Sequence, residues 1–450
     1  MISKPCHPLQ ACYLILAFCL NAYPTYLARI YNPSDVQAEM AAIDTCIDNT
    51  LGMLVQGSPD LPPHAKTIRS LPHRMGGLGL TRFDSPFSGI HADALCQKTS
   101  AYLAEFFPHL HRSYLESIPI APHGMLGDGD VLLTNIRERY VGTLKREHGN
   151  IISQLSADPS LKAIAASIAA NSFRGSGAAL SLGGYMGLYT PDIFQAMLRN
   201  RLNVHCRPNN IQWTCSCRFG PHLNTLPCDT TNTTHYTCCP DAGCFRTTAH
   251  TRVVKAVKEY LATVAPQAVI VESPVFFPNN AARRKVADLL VTVPGQAGEV
   301  VYTIDAGIAQ ATGMKYINEV RPDEPNRPTI LNDPHRAARD YENRKTREYR
   351  DSGAPRLVPF IITHPGNIGP KAGLFLDAIE GKNLPQPDEP PDPERMVTLH
   401  SARHHLLTSI VHACQKAAAQ ARKYTVRRFT QQDIPPPIGN GDILNEAGFG

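Results

Sequence analysis

Two aspartates stand in neighbouring apolar runs: Asp288 within Val286–Val293, and Asp305 at the end of the run that begins at Val300. Side chains alternate along a strand, so Asp288 falls opposite Ala287, Leu289 and Val291, while Val301, Thr303 and Asp305 share a face. The sequence Pro294-Gly295-Gln296-Ala297-Gly298 between the runs reads as a hairpin turn. The two carboxylates then meet at one edge of a sheet. Oxygen ligands so placed suit Mg²⁺, or Mn²⁺ in its stead, which polarises a phosphate and lowers the pKa of a bound water. Glu272, in the apolar run before them, is the natural third carboxylate. Further on, Ala338, Tyr341, Lys345 and Tyr349 fall three to four residues apart and share one helical face. A lysine at that position reaches the same edge, where a cation stabilises charge developing on a phosphate. Each residue taken singly has a blander reading, as a turn-proximal acid or a lysine whose stem packs on the surface. The ordered set is what points to chemistry.

These residues need a particular series of elements to bring them together. Thr248 caps a helix whose apolar stripe is Val253, Val254, Val257, Leu261 and Val264. Three β-rich runs follow, Val269–Phe277, Val286–Val293 and Val300–Ile308. A helix is expected over about 334–350, and Arg356–Thr363 is a further strand ended by Pro365-Gly366. The order is helix, three strands, helix, strand.

The rest of the chain differs in character. Its 450 residues, 43% hydrophobic and 18% charged, suit a folded protein of roughly three domains. The region 1–125 is expected to be helical, on the spacing of Met40, Ile43, Ile47, Leu51 and Leu54. A helical connector, 126–201, includes the alanine-rich stretch Leu161–Ala179, with the glycines from Gly175 to Gly187 as a flexible break. Seven of the 13 cysteines crowd between Cys206 and Cys244, the distribution of a local metal site in a reducing compartment rather than of a disulfide framework. The segment 202–245 has too few long aliphatics to bury a core without a metal or crosslink; paired disulfides or free thiols are the competing reading. A domain over 246–382 holds the acidic and basic candidates, and 383–450 comprises a proline-rich linker, Leu384–Pro393, and a terminal helix at about 396–422.

A net charge of +5 is too small to identify a nucleic-acid binder by its field. The local basic runs, Arg283–Lys285, Arg336–Arg350 and Lys423–Arg428, carry more information, with solvated helix faces as their plain alternative. No apolar run approaches the roughly 20 residues that span a bilayer, so no membrane association is expected. The run Cys12–Leu20 is apolar enough for a signal-peptide core.

Glu272, Ala287-Asp288, Asp305 and the pair Lys345 and Tyr349 together resemble the restriction-like endonuclease domain of site-specific non-LTR retrotransposon polyproteins. That family carries a Pro-Asp or Ala-Asp pair, a second Asp about a dozen residues on, then Lys or Arg three residues before Tyr. It also has a cysteine–histidine zinc knuckle before the nuclease, which Cys215, Cys217, His235 and Cys239 match in spacing, with His250 at a later histidine position. Cys206, His222, Cys228, Cys238 and Cys244 are spare candidate ligands. Upstream, Ser70-Leu-Pro-His-Arg-Met-Gly-Gly-Leu-Gly-Leu80 is similar to the segment that follows the polymerase palm and thumb in these proteins. The resemblance covers about 15–380.

The resemblance implies a multidomain α plus α/β protein: a helical N-terminal part, a small zinc knuckle and a PD-(D/E)xK core of order αβββαβ. It implies a DNA endonuclease that nicks its target, with Asp288 and Asp305 holding Mg²⁺ and Glu272 auxiliary. Lys345 would be the cation at the phosphate and Tyr349 its support. Zn²⁺ would sit in the knuckle, and Arg336, Arg339, Arg344 and Arg347 would contact phosphates of DNA, or of RNA. An intracellular, nuclear location follows. The sequence departs from the family in four places: Ala287 stands for the commoner proline, Ala249 where the family has arginine, the gap from Asp288 to Asp305 is longer than usual, and Lys345 lies one residue further from Tyr349. No Asp-Asp pair occurs anywhere in the chain, so polymerase activity is not expected. Two rivals remain open: a decayed or domesticated remnant that binds nucleic acid without cutting it, and a secreted disulfide-bonded protein.

Overall fold

The computed structural model describes residues 9–21, 36–83, 104–110, 145–146, 148–158, 161–173, 175–180, 189–204, 243–276, 285–295, 298–312, 316, 330–381 and 393–430. They form a mixed helix-and-sheet molecule with a helical half and a sheet half.

In the helical half, α1 (Leu9–Leu14) runs into a π-helical turn, Ile15–Leu20. The apolar run expected as a possible signal core is thus built into the fold, with Tyr13, Leu14 and Leu16 buried. Next come α2 (Gln37–Gln56) and α3 (Pro63–Ser70). Helix α2 buries Met40, Ile47 and Leu51 of the expected stripe, with Ile43 and Leu54 only half-buried and Val55 buried beside them, and Gly57 ends it in the left-handed conformation. Helices α4 (Lys162–Ala170) and α5 (Pro191–Leu202) complete this half. Leu51, Ile68, Leu78, Ile168, Phe194 and Leu202 share one core, so pieces assigned in sequence to a helical region and to a connector pack as a unit.

Two arginines organise that core. Arg69, 1% exposed, bonds Asp44 at 3.0 Å, Asp48, and the carbonyls of Leu80 and Thr81. Arg201 donates to the carbonyls of His73, Ser176 and Gly77 and to Asn171 Oδ1. The His73 and Gly77 carbonyls belong to the turn around Gly76-Gly77. Gly76 has φ +86°, and a Cβ on Gly77 would lie 2.0 Å from the Leu71 carbonyl oxygen, so the pair is required by sterics alone. The glycine-rich stretch beyond 174 was expected as a flexible break. Over 175–180 it is instead packed on this turn, where a Cβ on Gly177 would strike the His73 ring at 2.5 Å.

The sheet half begins with α6 (Gly243–Val264) and continues through β1 (Val269–Glu272), β2 (Val275–Phe276), β3 (Lys285–Val286), β4 (Leu289–Gly295) and β5 (Gly298–Gln310). Helix α7 (Arg336–Glu348) crosses to β6 (Leu357–His364), followed by β7 (Asn367–Ile368) and α8 (Pro370–Ile379). The five-stranded sheet has the order β1-β4-β5-β6-β7; β5 and β6 are parallel and the other pairs antiparallel. The long first and second β-runs expected from sequence each break. Ser273, at φ +51°, divides β1 from β2, and residues 287–288 divide β3 from β4, so β2 and β3 form a separate ribbon.

One face of the sheet, with Leu289, Val291, Ile304, Phe360 and Ile362, packs on Val253, Val257 and Leu261 of α6 and on α8. The other face takes α7, where Ala337 and Ala338 meet Ala309 and Ile361. Ala163, Ala166 and Ala170 of α4 join this second cluster.

The last described helix, α9 (Pro393–Thr430), is longer than expected and lies between the halves. Leu406, Ile410 and Ala413 enter the sheet core, whereas Val411 and Ala419 enter the helical core. Ala417, Ala418 and Ala421 pack on Phe245 and Ala249 of α6. Small side chains let the helices approach closely, and polar links secure the other side: Gln415 to the Ser176 carbonyl at 3.0 Å and Arg422 to Asn200 at 2.7 Å.

Candidate active site

The site forms where β4 and β5 pass the end of α7. Leu289 pairs with Ile304, which brings Asp288 beside the start of the Asp305-Ala306 stretch. The Ala306 N–H donates to Asp288 Oδ2 at 2.7 Å. Asp305 is 5% exposed, on the face toward α7. Gly307, two residues on, lets that helix come close: a Cβ there would lie 2.7 Å from the Tyr341 ring.

Lys345 descends from α7 to place Nζ 2.8 Å from Asp305 Oδ2. One turn later, Tyr349 is 5% exposed and donates to the Val286 carbonyl at 2.8 Å. Its hydroxyl lies within hydrogen-bond reach of Asp305, and its ring meets Phe276 edge-on at 6.5 Å. Tyr349 therefore ties the β2–β3 ribbon to the helix end that carries Lys345.

Burial sets the electrostatics. It holds the Asp305 carboxyl above the ordinary carboxylate range, even with Lys345 beside it, and the nearby Asp288 pushes the same way. Burial also works against the charge on Lys345, but the Asp305 partner outweighs it and raises the ammonium pKa. Burial raises the Tyr349 hydroxyl, with the carboxylates of Asp305 and Asp288 adding to the effect, so it stays a neutral donor.

No protein-family model and no curated protein matches this chain. The site must be judged on its own geometry. Two carboxylates from adjacent strands, one of them buried, are hard oxygen donors in the number that Mg²⁺ takes while keeping several waters. Among the described residues, no group of three or more His, Cys, Asp or Glu side chains is gathered for a metal. Two carboxylates leave most of the coordination shell of such an ion to water.

Asp288, Asp305, Lys345 and Tyr349 converge, but Glu272 does not join them. It pairs in register with Leu289, which puts it on the opposite face from Asp288, and its carboxylate is ion-paired with Lys258 of α6. The expectation of Glu272 as an auxiliary ligand is corrected on that ground. Glu342, buried on α7, accepts the Lys371 N–H at 2.9 Å and caps α8, a structural task.

The arginines of α7 are partly neutralised at home. Arg336 faces Asp340 at 3.3 Å, Arg344 faces Glu348 at 3.6 Å, and Arg339 pairs with Asp333. Arg347 is exposed, and among the described residues it bonds the Asn343 carbonyl at 3.4 Å. Cys215, Cys217, His235 and Cys239, like the spare candidates Cys206, His222, Cys228 and Cys238, lie outside the described residues. Cys244 is a half-buried free thiol at the start of α6.

Sequence reading missed His250 at this site. It stands on α6 with Nε2 3.4 Å from Asp288 Oδ2. That hydrogen bond is the main cause of a pKa raised above the usual histidine value, against the opposing effect of burial. The signal was present: His250 precedes Val253 by three residues and so continues the buried stripe of α6 by one turn.

Proposed function

We propose that the chain is a metal-dependent nuclease that hydrolyses DNA phosphodiester bonds, with Asp288 and Asp305 as ligands for Mg²⁺ or Mn²⁺. The observation that carries this reading is the meeting of Asp288, Asp305 and Lys345 at one sheet edge, supplied by the break between β3 and β4, by β5 and by α7. A bound ion there would polarise the phosphate and lower the pKa of a water. Lys345 places a positive charge beside Asp305, where it can face a phosphate oxygen and offset charge in the transition state. Tyr349 holds the end of α7 against β3 and so fixes the reach of Lys345. The α6, sheet and α7–β6 order supports a PD-(D/E)xK core, and with the cysteine spacing it supports kinship with non-LTR retrotransposon nucleases. Under that kinship a Zn²⁺ knuckle at Cys215, Cys217, His235 and Cys239 would hold nucleic acid nearby, Arg347 would contribute phosphate contacts, and the protein would work in the nucleus.

Nicking of supercoiled plasmid in Mg²⁺, compared between the intact protein and Asp288→Ala, tests the activity. Nicking by the first alone is expected. DNA binding with neither protein cutting, in Mg²⁺ or Mn²⁺, returns the binding-only remnant. Metal analysis should give about one zinc per chain, since the cysteine segment has too few long aliphatics to fold without a metal or a crosslink; a folded, metal-free, fully disulfide-bonded chain would refute the zinc site.

A further inference from the structure

We infer that His250 is a positioning residue for Asp288, fixing the carboxylate that the proposed metal would use; this rests on the nuclease reading above. Two donors from different elements converge on one oxygen. The Ala306 N–H reaches Asp288 Oδ2 from β5 at 2.7 Å, and His250 Nε2 reaches the same atom from α6 at 3.4 Å. The imidazole is also within hydrogen-bond reach of the Ala306 backbone, so it clips the carboxylate to the strand that carries Asp305. No described residue donates to Asp288 Oδ1, which leaves that oxygen for a cation.

The torsion that turns an aspartate carboxylate is broad and roughly two-fold. One N–H bond leaves that torsion loosely held, whereas a second donor from another element restrains it further. His250 meets Asp288 Oδ2, the oxygen that the Ala306 N–H already holds, and so acts through Asp288. Packing of Ala249, its chain neighbour, against Ala417 and Ala418 of α9 sets the height of the imidazole on α6. Partners that orient metal ligands in this way typically matter by about 10–100-fold in metal affinity.

Mn²⁺ binding to the full, zinc-loaded chain, followed by electron paramagnetic resonance, tests this with Asp288→Ala as the blank. His250→Ala should weaken Mn²⁺ by about ten-fold or more, and nicking should recover toward the wild-type rate as Mg²⁺ is raised. His250→Gln, whose amide nitrogen stands near the place of Nε2, should restore most of the affinity. His250→Asn, too short to reach Oδ2, should not. Equal Mn²⁺ affinity in wild type and His250→Asn would overturn the inference, as would Gln and Asn variants impaired alike or a wild type that binds no Mn²⁺ at the Asp288 site. A wild type that binds Mn²⁺ there without nicking DNA would sink the nuclease reading, while the Gln and Asn affinities still decide the role of His250.

Discussion

Arg69 in the helical half and Lys345 at the sheet edge each hold a buried aspartate, yet the two clusters are finished differently. Around Arg69 the partners are complete: Asp44 accepts from the guanidinium and from the Phe83 N–H at 2.8 Å, Asp48 takes a second nitrogen, and Lys66 stands 4.0 Å from Asp48. Around Lys345 one ammonium faces Asp305, while Asp288 has the Ala306 N–H and His250 on Oδ2 and no described donor on Oδ1. The first cluster locks a turn in place, and the second keeps negative charge in reserve where a cation can be used. Satisfied buried charges hold a fold; incompletely compensated ones are where chemistry is sought.

The largest effect that would sharpen this contrast is on stability. Arg69→Ala leaves two buried carboxylates without their partner and should cost about 3–5 kcal/mol, read by urea unfolding. Asp305→Asn should cost far less and yet abolish nicking; equal losses of stability would erase the distinction. Next in size, Lys345→Ala should slow nicking by about 10²–10³-fold, the range for removing one transition-state donor, with DNA binding in filter assays nearly unchanged.

Acid separates the two regions by sign. Burial, reinforced by Lys416, lowers His412 to about 4, so its contribution is present above pH 6.5 and is lost as pH falls toward 4, by roughly 3 kcal/mol at most. Asp305 has the opposite trend: a folded-state pKa above the unfolded value favours the folded form at low pH, and that benefit is lost as pH rises through it. His412→Gln should therefore flatten the acid limb of a stability–pH curve without touching nicking at neutral pH. The smallest effect belongs to Glu272→Gln, about 0.5 kcal/mol or less for an exposed ion pair, with a nicking rate within about two-fold of wild type. A large loss of nicking there would restore Glu272 to the site.

Much of the sheet half was legible because strand and helix periods differ. The burial of Ala287, Leu289 and Val291 against Asp288, and the single face of Ala338, Tyr341, Lys345 and Tyr349, follow from counting residues. Glu272 was misplaced because its face depends on the β1–β4 register, which one strand alone does not reveal. His250 has two readings in sequence, by its spacing from the cysteines and by the α6 stripe that extends to it, and the second is the one that leads to Asp288. The pairing of Arg336 with Asp340 and of Arg344 with Glu348 was readable at four-residue spacing, and it weakens these arginines as free phosphate contacts. Least legible was the packing of α9: a helix is expected at about 396–422, but its alanines carry no strong periodic signal of the two cores it joins.

The place of α9 between the halves has a consequence for the order of events at synthesis. Domains fold broadly from the N-terminus as the chain emerges from the ribosome, but Ala249 and the helical core both wait for residues 411–421, which are made more than a hundred residues after β5 is complete. The seam closes by contacts distant in sequence, the kind that form slowly. A nascent chain would therefore carry the paired aspartates for some time before the helix that joins the halves arrives, and a premature stop ahead of α9 would leave them on an unassembled protein.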